Sequence, residues 1–177
     1  IDSQGNVYVC GNYDYDAGGD TNSAMNLVKF DSSGVKQWSR RVVGDCEDFA
    51  TSIVVGPDDT LYLNGITSQL VNDTPRFVWV VAKYTTSGTV VWQRLIENTT
   101  GWSFSGGGFF NAGGGSNLAV RQGYVALSGG FGEPFNGTSN ATVVQIDTDG
   151  TVFNVGDWEF KAASFSGTLN STASDIT

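Results

Sequence analysis

Val7-Tyr8-Val9-Cys10-Gly11 and Leu61-Tyr62-Leu63-Asn64-Gly65 are the same short phrase written 54 residues apart, and Val125-Ala126-Leu127-Ser128-Gly129 writes it a third time after a further 64 residues. A second phrase keeps step with the first. Leu27-Val28-Lys29-Phe30-Asp31-Ser32-Ser33-Gly34 leads to Trp38, and Val81-Ala82-Lys83-Tyr84-Thr85-Thr86-Ser87-Gly88 leads to Trp92, again at a spacing of 54. Unit three keeps Val143-Val144-Gln145-Ile146-Asp147-Thr148-Asp149-Gly150, but Phe153 arrives one residue early and Asn154 stands where the tryptophan would be. Two phrases sharing one period mean that the stable object is a row of similar units, each burying its apolar face on the next.

Working outward, each unit assembles from short-range signals. Asp2-Ser3-Gln4-Gly5-Asn6 has the composition of a turn and feeds the alternating strand at Val7, and Gly56-Pro57-Asp58-Asp59-Thr60 does the same before Leu61. The turns at Asp31–Gly34 and Thr85–Gly88 join a second strand to a third as a hairpin, with glycine supplying positive φ. A fourth strand is expected at Ala50–Val55 in unit one and Asn117–Val120 in unit two, and Ala173–Thr177 has the look of its start in unit three. No amphipathic helical spacing is sustained anywhere. The expected fold is therefore all-β, in units 1–55, 56–120 and 121–177, each a four-stranded antiparallel sheet. Four short strands in about 50 residues is the pattern of a propeller blade.

The pairing of Asp-Ser-x-Gly-Asn-Val-Tyr-Val-x-Gly with Leu-Val-Lys-Phe-Asp-Ser-Ser-Gly-x-x-x-Trp resembles the SBBP-type β-propeller repeat of bacterial surface, secreted and phage-encoded proteins. The resemblance covers essentially the whole chain and weakens in unit three. It implies blades packed face to face around an axis, and it carries no catalytic residue. Trp38 and Trp92, recurring in phase, are read as docking one unit onto the next. Three blades are fewer than the about 4–8 that close a propeller. With both ends cut at nearly the same phase, the expectation is a segment of a longer chain, or blades completed by other subunits.

Composition narrows the function classes. A formal charge of −9, with only nine Lys and Arg residues, argues against nucleic-acid binding. The longest apolar run, Phe77–Ala82, is too short to span a bilayer and suits a buried strand. The absence of histidine removes Ser-His-Asp and Cys-His nucleophilic sites and the usual zinc sites. Cys10 and Cys46 permit one disulfide, with a free, buried Cys10 as the preferred reading. Five Asn-x-Ser/Thr sequons are what a chain this rich in Asn and Thr contains by coincidence. No secretory leader is visible. Ile1 is no initiator, so upstream sequence is expected and compartment is not fixed by this signal.

Three places depart from the repeat and invite chemistry. Asp14, Asp16 and Asp20 alternate as the oxygen ligands of a calcium loop do, but without the bidentate Glu of an EF-hand; the reading preferred is an exposed acidic loop, with calcium as the alternative and no other cofactor. Asp147-Thr148-Asp149-Gly150 looks like a calcium fragment in isolation, yet its phase assigns it to a hairpin turn. Repeat two carries about ten extra residues around 101–115, where Trp102, Phe104 and Phe109 on a glycine-rich insertion could stack on sugar rings, touch a partner or cover a blade end.

The function expected is a non-enzymatic structural or adhesive module of a large virion protein (phage tail, fibre or capsid-associated) or extracellular protein. Its partners would be other subunits or remaining blades, together with surface glycans. The alternative is a carbohydrate-binding or carbohydrate-processing propeller using Asp14–Asp20 and Trp102–Phe110. A quinone-dependent dehydrogenase is a third class, lacking visible cofactor contacts.

Overall fold

The computed structural model describes residues 1–16, 21–43, 48–71, 74–98, 118–132, 139–151, 153–155, 158–162 and 169–170. They form strands β1 (Val7–Asp16), β2 (Thr21–Phe30), β3 (Lys36–Val42), β4 (Asp48–Val55), β5 (Leu61–Val71), β6 (Thr74–Tyr84), β7 (Val90–Asn98), β8 (Leu118–Arg121), β9 (Tyr124–Gly132), β10 (Ser139–Asp147), β11 (Phe153–Val155), β12 (Trp158–Ala162) and β13 (Leu169–Asn170). The described residues contain no helix, so the chain is all-β, and every strand pair is antiparallel.

Three sheets result. Sheet one runs β1-β2-β3-β13, sheet two β11-β12-β7-β6-β5-β4 and sheet three β10-β9-β8. One turn design builds most of their corners. In 2–6, 31–35, 56–60 and 85–89 the first residue's carbonyl accepts the N–H three residues on, and its own N–H donates to the carbonyl four residues on. The fourth residue is left-handed each time: Gly5 (φ 81°), Gly34 (φ 81°), Asp59 (φ 52°) and Gly88 (φ 82°). This is a three-residue loop closing on a left-handed bulge, whose twist matches that of the flanking strands. The segment Asp147–Gly150 makes the same inner bond, with Gly150 at φ 73°, so it is a tight turn; it does not close the expected hairpin among the described residues, because β10 pairs with β9 and β11 with β12.

The strand expected last in each unit opens the next sheet instead. β4 pairs with β5 from Val55↔Leu61 to Asp48↔Thr67, and β8 pairs with β9. The reason is local: the tight turn at 56–60 makes its two flanking strands neighbours. Units one and two therefore each give three strands to one sheet and one strand to the next. Unit three departs again after its tight turn. β11 pairs with β12, which lies along the β7 edge, and among the described residues β10 pairs only with β9.

The core lies between the sheets. Tyr8, Met25, Leu27, Trp38 and Val42 of sheet one meet Leu61, Leu63, Val80, Ala82 and Tyr84 of sheet two. On the other face of sheet two, Tyr62, Trp79, Val81 and Trp92 meet Leu118, Val125, Leu127 and Ile146 of sheet three. Sheet two is thus covered on both faces, which explains why its β6 reads as a continuous apolar run rather than an alternating one. A Cβ at Gly65 would stand 2.6 Å from both Met25 Sδ of sheet one and the Phe49 carbonyl oxygen of the adjacent β4, so glycine is needed there for want of room.

Candidate functional site

The residues singled out for chemistry are placed unevenly. Asp14 and Asp16 lie on β1, opposite Ser23 and Thr21 in the ladder with β2. Asp20, Trp102, Phe104, Phe109 and Cys46 lie outside the described residues. Cys10 is unbridged and half-buried, packed against the first core cluster, and burial pushes its thiol pKa up. It is a weakly acidic, packed thiol rather than an activated one.

What the fold does bring together is a set of side chains repeated from sheet to sheet. Trp38 Nε1 donates to the Thr86 carbonyl at 3.2 Å, and Trp92 Nε1 donates to the Thr148 carbonyl at 3.2 Å. Arg40 Nε donates to the Gly88 carbonyl at 2.6 Å, and Arg94 Nε to the Gly150 carbonyl at 2.7 Å. Lys29 Nζ and Lys83 Nζ reach the same Thr86 and Thr148 oxygens at 3.3 and 3.4 Å. Lys, Trp and Arg of one sheet therefore clamp the tight turn of the following sheet, twice over with the same atoms. The reading of Trp38 and Trp92 as docking residues fits their burial, at 6% and 7% exposed.

The clamp is organised by stacking as well as by hydrogen bonds. Trp38 lies 6.1 Å from Tyr8 between ring centroids, and Trp92 lies 6.2 Å from Tyr62 in an edge-on arrangement. Lys29 and Lys83 sit 5.5 and 5.1 Å from the Tyr8 and Tyr62 ring centres, within cation–π range. Lys29, Arg40, Lys83 and Arg94 were not legible as site residues one by one. The signal that finds them is the joint recurrence of Lys-x8-Trp-x-Arg at 29–40 and 83–94.

Each unit tunes the base of its clamp differently. In unit one Asp2 Oδ1 accepts from Gln4 N and Asn6 N, and Oδ2 accepts from Asn6 Nδ2 and Tyr8 Oη at 2.8 and 2.9 Å. Burial opposes the Asp2 charge, but these bonds, led by those from Asn6, outweigh it and hold the pKa at about 2. Burial and the bonded Asp2 carboxylate push the Tyr8 hydroxyl in the opposite direction, well above its usual range. Unit two has Gly56 at the Asp2 position, where a Cβ would lie 2.8 Å from the Tyr62 ring. Its nearby acid is Asp58, which bonds Lys83 Nζ at 3.1 Å. The two turns are also tied together, as Ser3 N and Oγ both donate to the Asp59 carboxylate.

The Asp2 network makes a pH prediction. Because its folded pKa lies below the unfolded value of about 3.9, the stability it contributes is complete above that value and is lost as pH falls toward about 2. Asp2→Ala should cost about 2 kcal/mol at pH 7 by stranding Tyr8 Oη and Asn6 Nδ2. It should also flatten the fall in stability between pH 5 and pH 2, as read by urea unfolding at a series of pH values. An unchanged acid slope in the variant would refute the assignment.

Chemically, the described site is a device for holding sheets together. Among the described residues no three acidic or cysteine side chains converge as a metal-binding group. A scan of known family models and a search of curated proteins find no match to this chain.

Proposed function

We propose that this chain is a non-enzymatic structural or adhesive module, with its three sheets serving as consecutive β-propeller blades of a large virion or extracellular protein. It would hold neighbouring subunits or a host surface through its turns and sheet edges. The observation that supports this reading is the clamp. The polar and aromatic side chains that recur in phase, Lys29, Trp38 and Arg40 with Lys83, Trp92 and Arg94, are all engaged in stacking one sheet on the next. Stacked sheets joined by short-range contacts form a scaffold whose surface can change without loss of the core. The acidic exterior, −9 over 177 residues, keeps such a scaffold from nonspecific association.

Electron cryo-microscopy of the chain in its native assembly tests the proposal. Sheets arranged around an axis, with turns or edges against neighbouring subunits or a host surface, are the expected result. A free monomer that cleaves members of a polysaccharide panel would overturn it. So would specific glycan capture lost on Trp102→Ala, which would favour the carbohydrate reading.

A further inference from the structure

Each internal contact has two halves. The front of one sheet supplies the Lys, Trp and Arg clamp, and the back of the next supplies a turn with two accepting carbonyls. Sheet one has both halves, but only its front is used. Its turn 31–35 is built like 85–89, yet among the described residues no side chain donates to the Ser32 or Gly34 carbonyl, the counterparts of Thr86 and Gly88. Gly34 is exposed, whereas Gly88 and Gly150 are buried.

The apolar surface tells the same story. Val7 and Val9, on the back of sheet one, are 37% and 48% exposed, while their counterparts Leu61 and Leu63 are 0% exposed under sheet one. A Cβ on Gly65 would collide with Met25 and with the Phe49 backbone, but one on Gly11 would find nothing within 4 Å. Among the described residues β1 is also an edge strand, whereas its counterpart β5 is flanked by β4.

We infer that the back of sheet one, with the β1 edge and the 31–35 turn, is a docking site for one further 54-residue unit carrying Lys-x8-Trp-x-Arg. Its three clamp-bearing strands lie on Val7 and Val9, its tryptophan and lysine bond the Ser32 carbonyl, its arginine bonds the Gly34 carbonyl, and its last strand pairs with β1. The occupant's chemistry comes from continuity with the two interfaces already formed. A second copy of residues 1–177 does not supply it. The fronts of sheets one and two are covered, and sheet three has Gln145 and Asn154 where the lysine and tryptophan would stand, leaving Val143 76% exposed. Growth by this contact is therefore one-directional. The inference rests on the clamp and does not require the stack to curve into a propeller.

The test is a chain in which residues 1–54 are repeated immediately before Ile1. Hydrogen exchange in the original Val7–Gly11 and Ser32–Val35 segments should slow by about tenfold or more relative to residues 1–177. Trp38→Ala in the added unit alone should reverse that protection. An added unit that leaves those segments unprotected, whether it is folded or unfolded, overturns the proposal. Dimerisation of the 177-residue chain with protection of the same segments would overturn the identity of the occupant in favour of a second copy. Solution scattering on the extended chain then reports separately on curvature, so docking in a straight stack would defeat the propeller reading while leaving this one standing.

Discussion

Trp92→Ala is expected to lower stability by about 3–5 kcal/mol, the usual cost of deleting a large buried aromatic, and to drop the melting midpoint by roughly 10 °C. Trp92 is 7% exposed, stacks on Tyr62 and donates to the Thr148 carbonyl, so its loss opens a cavity and leaves that carbonyl with only the longer bond from Lys83. The damage should be directional. Sheets two and three share this tryptophan, so hydrogen exchange should accelerate in β8, β9 and β10 while β1 and β2 keep their protection. Trp38→Ala should give the complementary result, loosening sheet one from sheet two. A loss below about 1 kcal/mol, or one spread evenly over all three sheets, would contradict the clamp.

Gly150→Ala should cost about 3 kcal/mol from two additive causes. Gly150 has φ 73°, where any Cβ is strained by about 1–2 kcal/mol. That Cβ would also lie 2.7 to 2.9 Å from three atoms of the Trp92 indole, a stiff buried ring with little freedom to move aside. Gly34→Ala separates the causes, because Gly34 has φ 81° but nothing within 4 Å of its added Cβ. It should cost only about 1 kcal/mol. Urea midpoints for the pair measure the difference, and near-ultraviolet circular dichroism should report a displaced indole in Gly150→Ala alone. Equal losses would mean that the Trp92 ring does not press on this turn.

Much of the fold was legible because its determinants are local. Alternation around Val7 and Leu61 and turns closed by glycine act within a few residues, and a 54-residue echo makes each signal count twice. The Asp147–Gly150 segment shows what repetition adds and where it stops, since in isolation it mimics a calcium loop and in phase it is a tight turn, yet among the described residues β10 and β11 do not pair across it. Strand assignment to sheets was less legible. β4 ends a sequence unit yet begins a sheet, because a period has no intrinsic starting point and only hydrogen-bond partners fix one. The 56–60 turn held the needed clue and reads as the counterpart of 2–6, but Asp59 adopts there the left-handed backbone that glycine takes in the other turns, which hid its likeness to the hairpin turns 31–35 and 85–89.

The candidate site divides along the same line. Trp38 and Trp92 announced themselves as rare, large residues in phase, whereas Arg40 and Arg94 did not, because a single arginine on a strand has many ordinary explanations. The sequence by itself determined an all-β chain of repeating units, with its turns, its strand periodicity and its docking tryptophans, since these rest on interactions between residues close in the chain. Only the tertiary structure decided which sheet each strand joins, which carbonyls the Lys, Trp and Arg side chains grip, and which face of sheet one is left open. Those features join residues about 48 to 65 positions apart, and contact at such separation depends on how whole sheets stack.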